Sequence, residues 1–189
     1  DQVEYGASVK QIMDEKADVV FNTVIPPGLS PFIKQLYEAG FSARGGRLSC
    51  VYYDENCLNF NTAAEMEGLA SCLDYFQNIE DPFSAELQAT YQKKHAHKDK
   101  VLFTAGSAST GMYRGIKLWE SAVKEAGNVD RESVSAAMDH AKIANGPGGP
   151  ASILPGTYHT QMNMYIAVAK DGKYEIIDKA EQVHPKECG

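Results

Sequence analysis

The chain has 189 residues, and its 43% hydrophobic content excludes an intrinsically disordered protein and is enough for a sizeable core. Its formal net charge of −7 argues against a nucleic acid or an anionic membrane as a partner. The apolar runs are far shorter than the roughly 18 residues that a membrane-spanning helix needs. We therefore expect one domain, or two small lobes, without a transmembrane segment.

A short apolar run at 18–24, mostly β-branched and aromatic, predicts a strand buried on both faces, as in a parallel sheet. Two prolines and a glycine follow, and they cannot continue a central strand. Ser30 then fits the N-cap and Pro31 the first position of a helix over 31–39, which a glycine ends. Because ligands bind beyond the carboxyl ends of strands in open parallel sheets, we expect the loop at 24–30 to contact the ligand.

The first part of the chain alternates helices with strands. Helical spacing predicts a helix over 6–16, and a short helix is expected at 61–66. Two further strands are predicted at 47–53 and 68–76. This alternation is typical of βαβ units and a parallel sheet.

The later part of the chain is mainly helical and ends in a hairpin. The predicted elements are a helix over 82–94 capped by Asp81, a long helix from about 109 to 126, a helix over 131–140, and hairpin strands at 161–169 and 173–179 joined by an Asp-Gly turn. The apolar face of the long helix comprises Met112, Ile116, Trp119, Val123 and Ala126. The glycine- and proline-rich segment at 145–150 is interpreted as a flexible connection.

The four cysteines, Cys50, Cys57, Cys72 and Cys188, lack the paired spacing of a zinc site. Two interpretations stay open. They are buried free thiols, or Cys50 and Cys72 form a disulfide if their strands are neighbours.

Signals for catalysis or metal binding are weak. The His95-x-His97 pair lies among lysines and is better explained as a solvated loop than as a metal site. Ser30 or Ser107 with His159 would form the nucleophile and base of a hydrolase, but no motif marks them. We therefore predict no catalytic residue, metal or cofactor.

Polar aromatic residues follow the second and third predicted strands, at the same sheet edge as the loop at 24–30. Tyrosine offers both an apolar face and a hydroxyl, which suits a small polar ligand with an apolar tail. The candidate ligand-binding residues are Ile25, Pro26, Gly28, Tyr52, Tyr53 and Asp54.

Several segments together resemble the second half of type I periplasmic solute-binding proteins. These segments are 16–24 (KADVVFNTV), 32–40 (FIKQLYEAG), 67–70 (EGLA), 75–82 (YFQNIEDP) and 113–127 (YRGIKLWESAVKEAG). They are most similar to the group that binds urea, short-chain amides and branched-chain amino acids. No single segment is a strict motif, and the ordered set carries the resemblance.

The resemblance implies an α/β fold of the type I periplasmic-binding-protein kind, with a parallel sheet, flanking helices and a C-terminal β-hairpin. This chain would be a fragment of a two-lobe protein whose lobes are joined by three crossing strands. Residues 1–76 would form the later half of the second lobe, 77–150 the return helices of the first lobe, and 151–189 a crossing strand and the hairpin. Crossings are expected near 73–78 and 150–153.

The resemblance also implies a function without catalysis. The protein would bind urea, a short amide or a branched-chain amino acid in the interlobe cleft, and an ABC permease would receive it. Its location would be periplasmic or at the cell surface. The alternatives are a cytoplasmic amide-sensing regulator of the same fold and an α/β hydrolase-like enzyme. Unpaired sheet edges in such a fragment also predict a possible homodimer.

Overall fold

The computed structural model describes residues 3–95 and 104–185. The described residues form two compact units. The first unit contains residues 3–73 and 166–178, and the second contains residues 74–95, 104–165 and 179–185. Within the described ranges, none of the helices is both long enough and apolar enough to cross a bilayer.

The first unit is built on a parallel sheet, as predicted. Its strands are β1 (Val19–Asn22), β2 (Arg47–Cys50) and β3 (Ala70–Leu73). β1 pairs with β2, and β2 pairs with β3, both in parallel register. The helices are α1 (Gly6–Asp14), α2 (Leu29–Glu38) and α3 (Ala63–Met66), and a single-turn 3₁₀-helix spans Cys57–Phe60. The strands are shorter than expected because the chain leaves the sheet before the aromatic residues that follow β2 and β3.

The prediction that β1 is buried on both faces is wrong. Val19 and Phe21 are 61% and 69% exposed, whereas Asn22 is buried. Among the described strands, β1 pairs only with β2 and lies at the sheet edge. An apolar β-branched run predicts a strand, but it does not determine which of its faces other elements cover.

Helix α2 begins earlier than predicted, with Gly28 and not Ser30 as its N-cap. Pro31 therefore occupies the third helical position instead of the first. Its missing N–H costs nothing there, because N–H groups in the first turn have no partner within the helix. Ser30 instead donates its hydroxyl to the carbonyl of Phe60 at 3.1 Å. The helix ends at Gly40, as expected, with φ of +81°.

The second unit contains the predicted helices of the later part of the chain. These are α4 (Pro82–His95), α5 (Ser107–Ala126) and α6 (Arg131–Ala137), with strands β4 (Lys142–Ile143) and β5 (Ala151–Ile153). Asp81 accepts the amide of Ser84 at 2.9 Å, which confirms the predicted start of α4. The core of this unit consists of Leu118, Ala122, Val134, Ala137, Ala141 and Ile153.

The predicted hairpin is confirmed as β6 (Thr160–Lys170) and β7 (Lys173–Val183). Its turn residues Asp171 and Gly172 have φ of +49° and +75°, the backbone that an Asp-Gly hairpin turn requires. Both strands run through the two units. β5 pairs antiparallel with β4 and β6 and lies in the second unit.

Cys50, Cys57 and Cys72 are free thiols, so the alternative Cys50–Cys72 disulfide is not formed. β2 and β3 are indeed neighbours, but Cys50 is in register with Ser71. Cys72 therefore lies on the opposite face of the sheet, because successive side chains of a strand alternate. Cys188 lies outside the described residues.

These positions predict selective alkylation of the native protein. Burial raises the pKa of Cys50 and of Cys57 to about 12, and both side chains are buried. We expect iodoacetamide at pH 8 to modify Cys72, which is exposed, well before Cys50 and Cys57. Peptide mass spectrometry resolves the three sites, and the unfolded chain, in which all three react, is the control. Equal rates in the native protein would contradict this burial.

Candidate functional site

The candidate site begins where β1 ends, in the first unit. Asn22 is buried, and its side chain bonds to both backbone groups of Val24. Its Nδ2 donates to the Val24 carbonyl at 3.0 Å, and its Oδ1 accepts the Val24 amide at 3.3 Å. This turn fixes the direction in which the following loop leaves the sheet.

The loop carries three of the predicted ligand-binding residues. Ile25 is 61% exposed, and Pro26 and Gly28 are half-buried. Gly28 also caps α2. The loop therefore presents an apolar side chain at the carboxyl edge of the parallel strands, which is where such folds bind ligands.

The three predicted residues after β2 divide into one at the surface and two in the interior. Tyr52 is half-buried, whereas Tyr53 and Asp54 are 0% and 3% exposed. The Tyr53 hydroxyl donates to Asn61 at 2.7 Å, and its carbonyl accepts the hydroxyl of Tyr174 at 2.7 Å. Burial raises the pKa of Tyr53, so its hydroxyl stays protonated and acts as a donor.

Asp54 stabilises a turn. Its Oδ1 accepts the amides of Asn56 at 3.0 Å and Cys57 at 3.4 Å, which starts the 3₁₀-helix that follows. A buried carboxylate with backbone partners fixes the conformation of the backbone that supports the site. The structure thus gives Tyr53 and Asp54 internal bonds, while Ile25, Pro26, Gly28 and Tyr52 retain accessible surface.

Asn61 connects these segments, and reasoning from the sequence missed it. It accepts the hydroxyl of Tyr53 and donates to the Ser30 carbonyl at 3.2 Å and to the Glu65 carboxylate at 2.9 Å. One side chain thus joins the segment after β2, the start of α2 and the start of α3. The available signal was the capping box of Thr62 and Glu65, which marks the start of α3 directly after Asn61.

Phe60 is a second residue that the sequence did not single out. Its carbonyl is held by Ser30, and its neighbour Asn61 is held by Tyr53, so its backbone is fixed. Its side chain is nevertheless 57% exposed. A large apolar group on a fixed backbone and in contact with water is suited to receive a ligand. We refer to Ile25, Tyr52 and Phe60 together as the apolar edge.

The hydrolase and metal-site alternatives gain no geometric support. The Ser30 hydroxyl donates to the Phe60 carbonyl, and the Ser107 hydroxyl donates to Asp74 at 2.6 Å. Neither serine therefore presents its proton to a histidine in the way that a nucleophile requires. His97 lies outside the described residues, and no cluster of three metal-ligating side chains occurs within 3–95 and 104–185.

A separate polar network lies inside the second unit. Arg114 on α5 forms an ion pair with Asp74, the residue after β3, and its Nη2 donates to the carbonyl of Pro147 at 2.7 Å. The Arg114 and Asp74 side chains are only 5% and 14% exposed. Ser107 supplies a further donor to Asp74. This charge pair is therefore largely removed from water.

The segment at 145–150, predicted to be a flexible connection, is instead bonded into this network. Gly148 donates its amide to Ser84 at 3.2 Å, and its carbonyl accepts Tyr165 at 2.8 Å and Asn163 at 3.0 Å. Asn163 in turn accepts the amide of Gln182 at 3.0 Å. Composition alone suggested mobility, but these bonds fix the segment.

Sequence and structure comparisons identify the family. Residues 1–173 match the family model described as periplasmic binding protein. The chain belongs to this family. No curated protein matches the sequence. The match to the family model confirms the predicted resemblance to periplasmic solute-binding proteins.

Solved structures of periplasmic binding proteins share the fold. A solute-binding protein of an ABC transporter from Rhodopseudomonas palustris BisB5, in complex with 3,4-dihydroxybenzoic acid, is 27% identical with a TM-score of 0.79. The match covers 96% of this chain and 50% of that protein. A leucine-binding protein from Thermotoga maritima MSB8 is 16% identical with a TM-score of 0.79, and 95% of this chain covers 49% of it. The chain thus spans about half the length of these periplasmic binding proteins.

These findings confirm the predicted fold class, a mixed α/β fold of the type I periplasmic-binding-protein kind. The family and the similar structures are solute-binding proteins of ABC transporters and not enzymes, so the hydrolase interpretation is set aside. The ligands named for the similar structures include a dihydroxybenzoate and leucine, and neither is urea or an amide.

Proposed function

We propose that this chain forms part of a solute-binding protein of an ABC importer, and that its ligand is a small solute with an apolar body. The observation that carries the proposal is the apolar edge, where Ile25, in the loop after β1, is 61% exposed and Phe60, whose carbonyl accepts from Ser30 at the start of α2, is 57% exposed. Contact between such side chains and the apolar surface of a ligand removes both from water, which stabilises the complex by roughly 25 cal/mol per Å² of apolar surface buried.

The apolar edge separates the candidate ligands. Urea and short amides have little or no apolar surface, so Ile25 and Phe60 would gain little from covering them. A branched-chain amino acid or an aromatic carboxylate presents a larger apolar body to the same residues. The benzoate-type ligand of a 27% identical relative supports adding aromatic carboxylates to the branched-chain amino acids. We rank both above urea and short amides.

We assign the contacts with the solute to five residues, namely Ile25, Pro26, Gly28, Tyr52 and Phe60. Tyr53 and Asp54 support these residues through their internal hydrogen bonds. Lobe closure about a hinge would trap the solute, because a ligand that binds the closed state more tightly shifts the population toward it. The predicted lobe assignment of 1–76, 77–150 and 151–189 belongs to this proposal. So do a periplasmic or cell-surface location and an ABC permease as the receiving partner.

A thermal-shift panel tests the ligand class. The solutes are 3,4-dihydroxybenzoate, leucine, acetamide and urea, and the proteins are the 189-residue chain and the product of its complete reading frame. We expect leucine or the benzoate to raise the melting temperature of at least one of these proteins. A ligand at 100 times its Kd stabilises by about 2.7 kcal/mol. A response to urea or acetamide alone would contradict the assigned class.

Phe60→Ala tests the apolar edge within the same experiment. Loss of the exposed ring should weaken binding of the active solute about tenfold, equivalent to about 1.4 kcal/mol, without lowering the melting temperature of the free protein. Phe21→Ala, a similarly exposed phenylalanine on the edge strand β1, is the matched control and should leave affinity unchanged. Equal effects of the two variants would remove Phe60 from the site.

A further inference from the structure

Asn145 is an exposed asparagine at the start of the segment at 145–150, and it is the one asparagine of the sequence that a glycine follows. No described residue forms a hydrogen bond with its side-chain amide. The amides of Asn22, Asn61 and Asn163, by contrast, each bond to other groups of the protein. The Asn145 side chain can therefore rotate toward its own backbone, which the other three cannot do without loss of a bond.

The packing around Gly146 favours glycine at this position. A Cβ atom here would lie 2.7 Å from Cδ1 of Ile143 and 3.2 Å from the carbonyl oxygen of Gly149. The Gly146 carbonyl also accepts the Gly149 amide at 2.9 Å, which closes a tight turn. A larger residue would crowd this turn. The fold thus places next to Asn145 the residue that hinders the approach of its side chain least, because glycine has no Cβ atom.

The backbone amide of Gly146 is available as a nucleophile. Within the described ranges its N–H donates to no acceptor, although its carbonyl is bonded. Residue 145 also lies between β4 and β5 and outside both strands, so no strand pairing fixes its backbone. Burial of Gly146 limits the access of base to the amide proton. We therefore expect a reaction that is slower than in a peptide but faster than at the other asparagines.

We propose that Asn145 is a site of spontaneous deamidation in the folded protein. Hydroxide removes the Gly146 amide proton, and the nitrogen attacks Cγ of Asn145. A C–N bond forms, the side-chain nitrogen leaves as ammonia, and a five-membered succinimide results. Water then opens this ring at either of its carbonyls, which gives aspartate or isoaspartate. The reaction involves no solute, so the proposal is independent of the ligand assigned above.

Isoaspartate at position 145 would disturb the buried network beside it. It lengthens the main chain by one carbon atom directly before Gly146, which packs against Ile143. The next residue, Pro147, accepts the guanidinium of Arg114 at 2.7 Å. These contacts leave no room for the extra length, so isoaspartate should weaken them. Aspartate keeps the main-chain length and adds only a charge at an exposed position, where substitutions cost little.

Ageing of the purified protein at pH 8 and 37 °C tests the proposal. Peptide mass spectrometry detects the replacement of ammonia by water, and protein isoaspartyl methyltransferase with labelled S-adenosylmethionine counts isoaspartate. We expect modification at Asn145 to be several-fold faster than at Asn128, and to accelerate with rising pH. Asn128 is the internal control, since it is exposed but precedes a valine and bonds to the carbonyl of Ala126 at 3.0 Å. A synthetic peptide of residues 142–150 gives the unhindered rate.

Two variants separate the chemistry from its structural effect. Asn145→Gln should stop modification at this position, because a longer side chain closes its ring much more slowly, and the melting temperature should then survive ageing. Asn145→Asp should melt as the unaged protein does, whereas the isoaspartate form should melt about 3 °C lower. An unmodified Asn145 in the folded protein while the peptide converts would overturn the proposal, as would equal rates at Asn145 and Asn128. Equal melting of the isoaspartate form and Asn145→Asp would overturn the effect on the network.

Discussion

Replacement of Gly148 by alanine should destabilise the protein by about 4 kcal/mol, which is at the upper end for a single substitution. Gly148 has φ of +76°, a conformation that side chains rarely adopt. In addition, its Cβ atom would lie 2.4 Å from the carbonyl oxygen of Asp74, far inside van der Waals contact. Relief of that clash requires displacement of Gly148, and with it the bonds to Ser84, Asn163 and Tyr165.

Gly156 provides a matched control for this substitution. Its φ is +75°, but a Cβ atom there would meet nothing within 4 Å. Gly156→Ala should therefore cost only the left-handed backbone strain, about 1 kcal/mol. Urea-induced unfolding followed by circular dichroism measures both variants. Similar losses would show that backbone conformation, and not the approach to Asp74, governs the effect at Gly148.

The second large effect is expected at the buried ion pair. Arg114→Met should destabilise the protein by about 3–5 kcal/mol, because it leaves the Asp74 carboxylate in a largely dry position without its cation. The Pro147 carbonyl also loses its donor. Lys10→Met is the control, since the side chains of the Lys10–Asp14 pair are 75% and 61% exposed, and it should cost under about 0.5 kcal/mol.

A double substitution distinguishes the charge from the packing. Asp74→Leu combined with Arg114→Met removes both charges, so its cost should be clearly less than the sum of the two single costs. Unfolding free energies of the four proteins give the coupling. Additive costs would show that the two residues do not stabilise one another and would contradict the ion pair as described.

Local signals in the sequence predicted the elements well. Asp81 begins α4 and Gly40 ends α2, because a cap bonds to a backbone group only a few residues away. The Asp-Gly turn is likewise determined locally, because Gly172 supplies the positive φ that the turn requires. These features need no information from distant parts of the chain.

The networks could not be predicted in this way. Arg114 lies 40 residues from Asp74 and 33 from Pro147, and Gly148 lies 64 from Ser84. A glycine- and proline-rich segment looks mobile until its distant partners are known. Residue type gives no indication of such partners, which only the fold brings together.

For the candidate ligand-binding residues, the sequence predicted which segments follow β1 and β2 but not how deeply each side chain is buried. The loop with Ile25 follows β1 as predicted, whereas Tyr53 was expected to contact the ligand and is buried. Its hydroxyl finds a partner eight residues along the chain in Asn61, which stabilises the ring in the interior. The exposure of Phe60 follows from the same arrangement, since Asn61 and Ser30 hold its backbone while its ring stays outside.

The bonds of Asn163 have a consequence for the order in which the protein is made. Asn163 bonds to Gly148 and to Gln182, and Gln182 also donates to the carbonyl of Pro150 at 2.9 Å. During synthesis, the segment at 145–150 therefore cannot form all of these bonds until Gln182 has left the ribosome. The ion pair of Asp74 and Arg114 can form earlier, from residues already translated. The second unit is thus completed only after Gln182 has emerged, later than its buried ion pair.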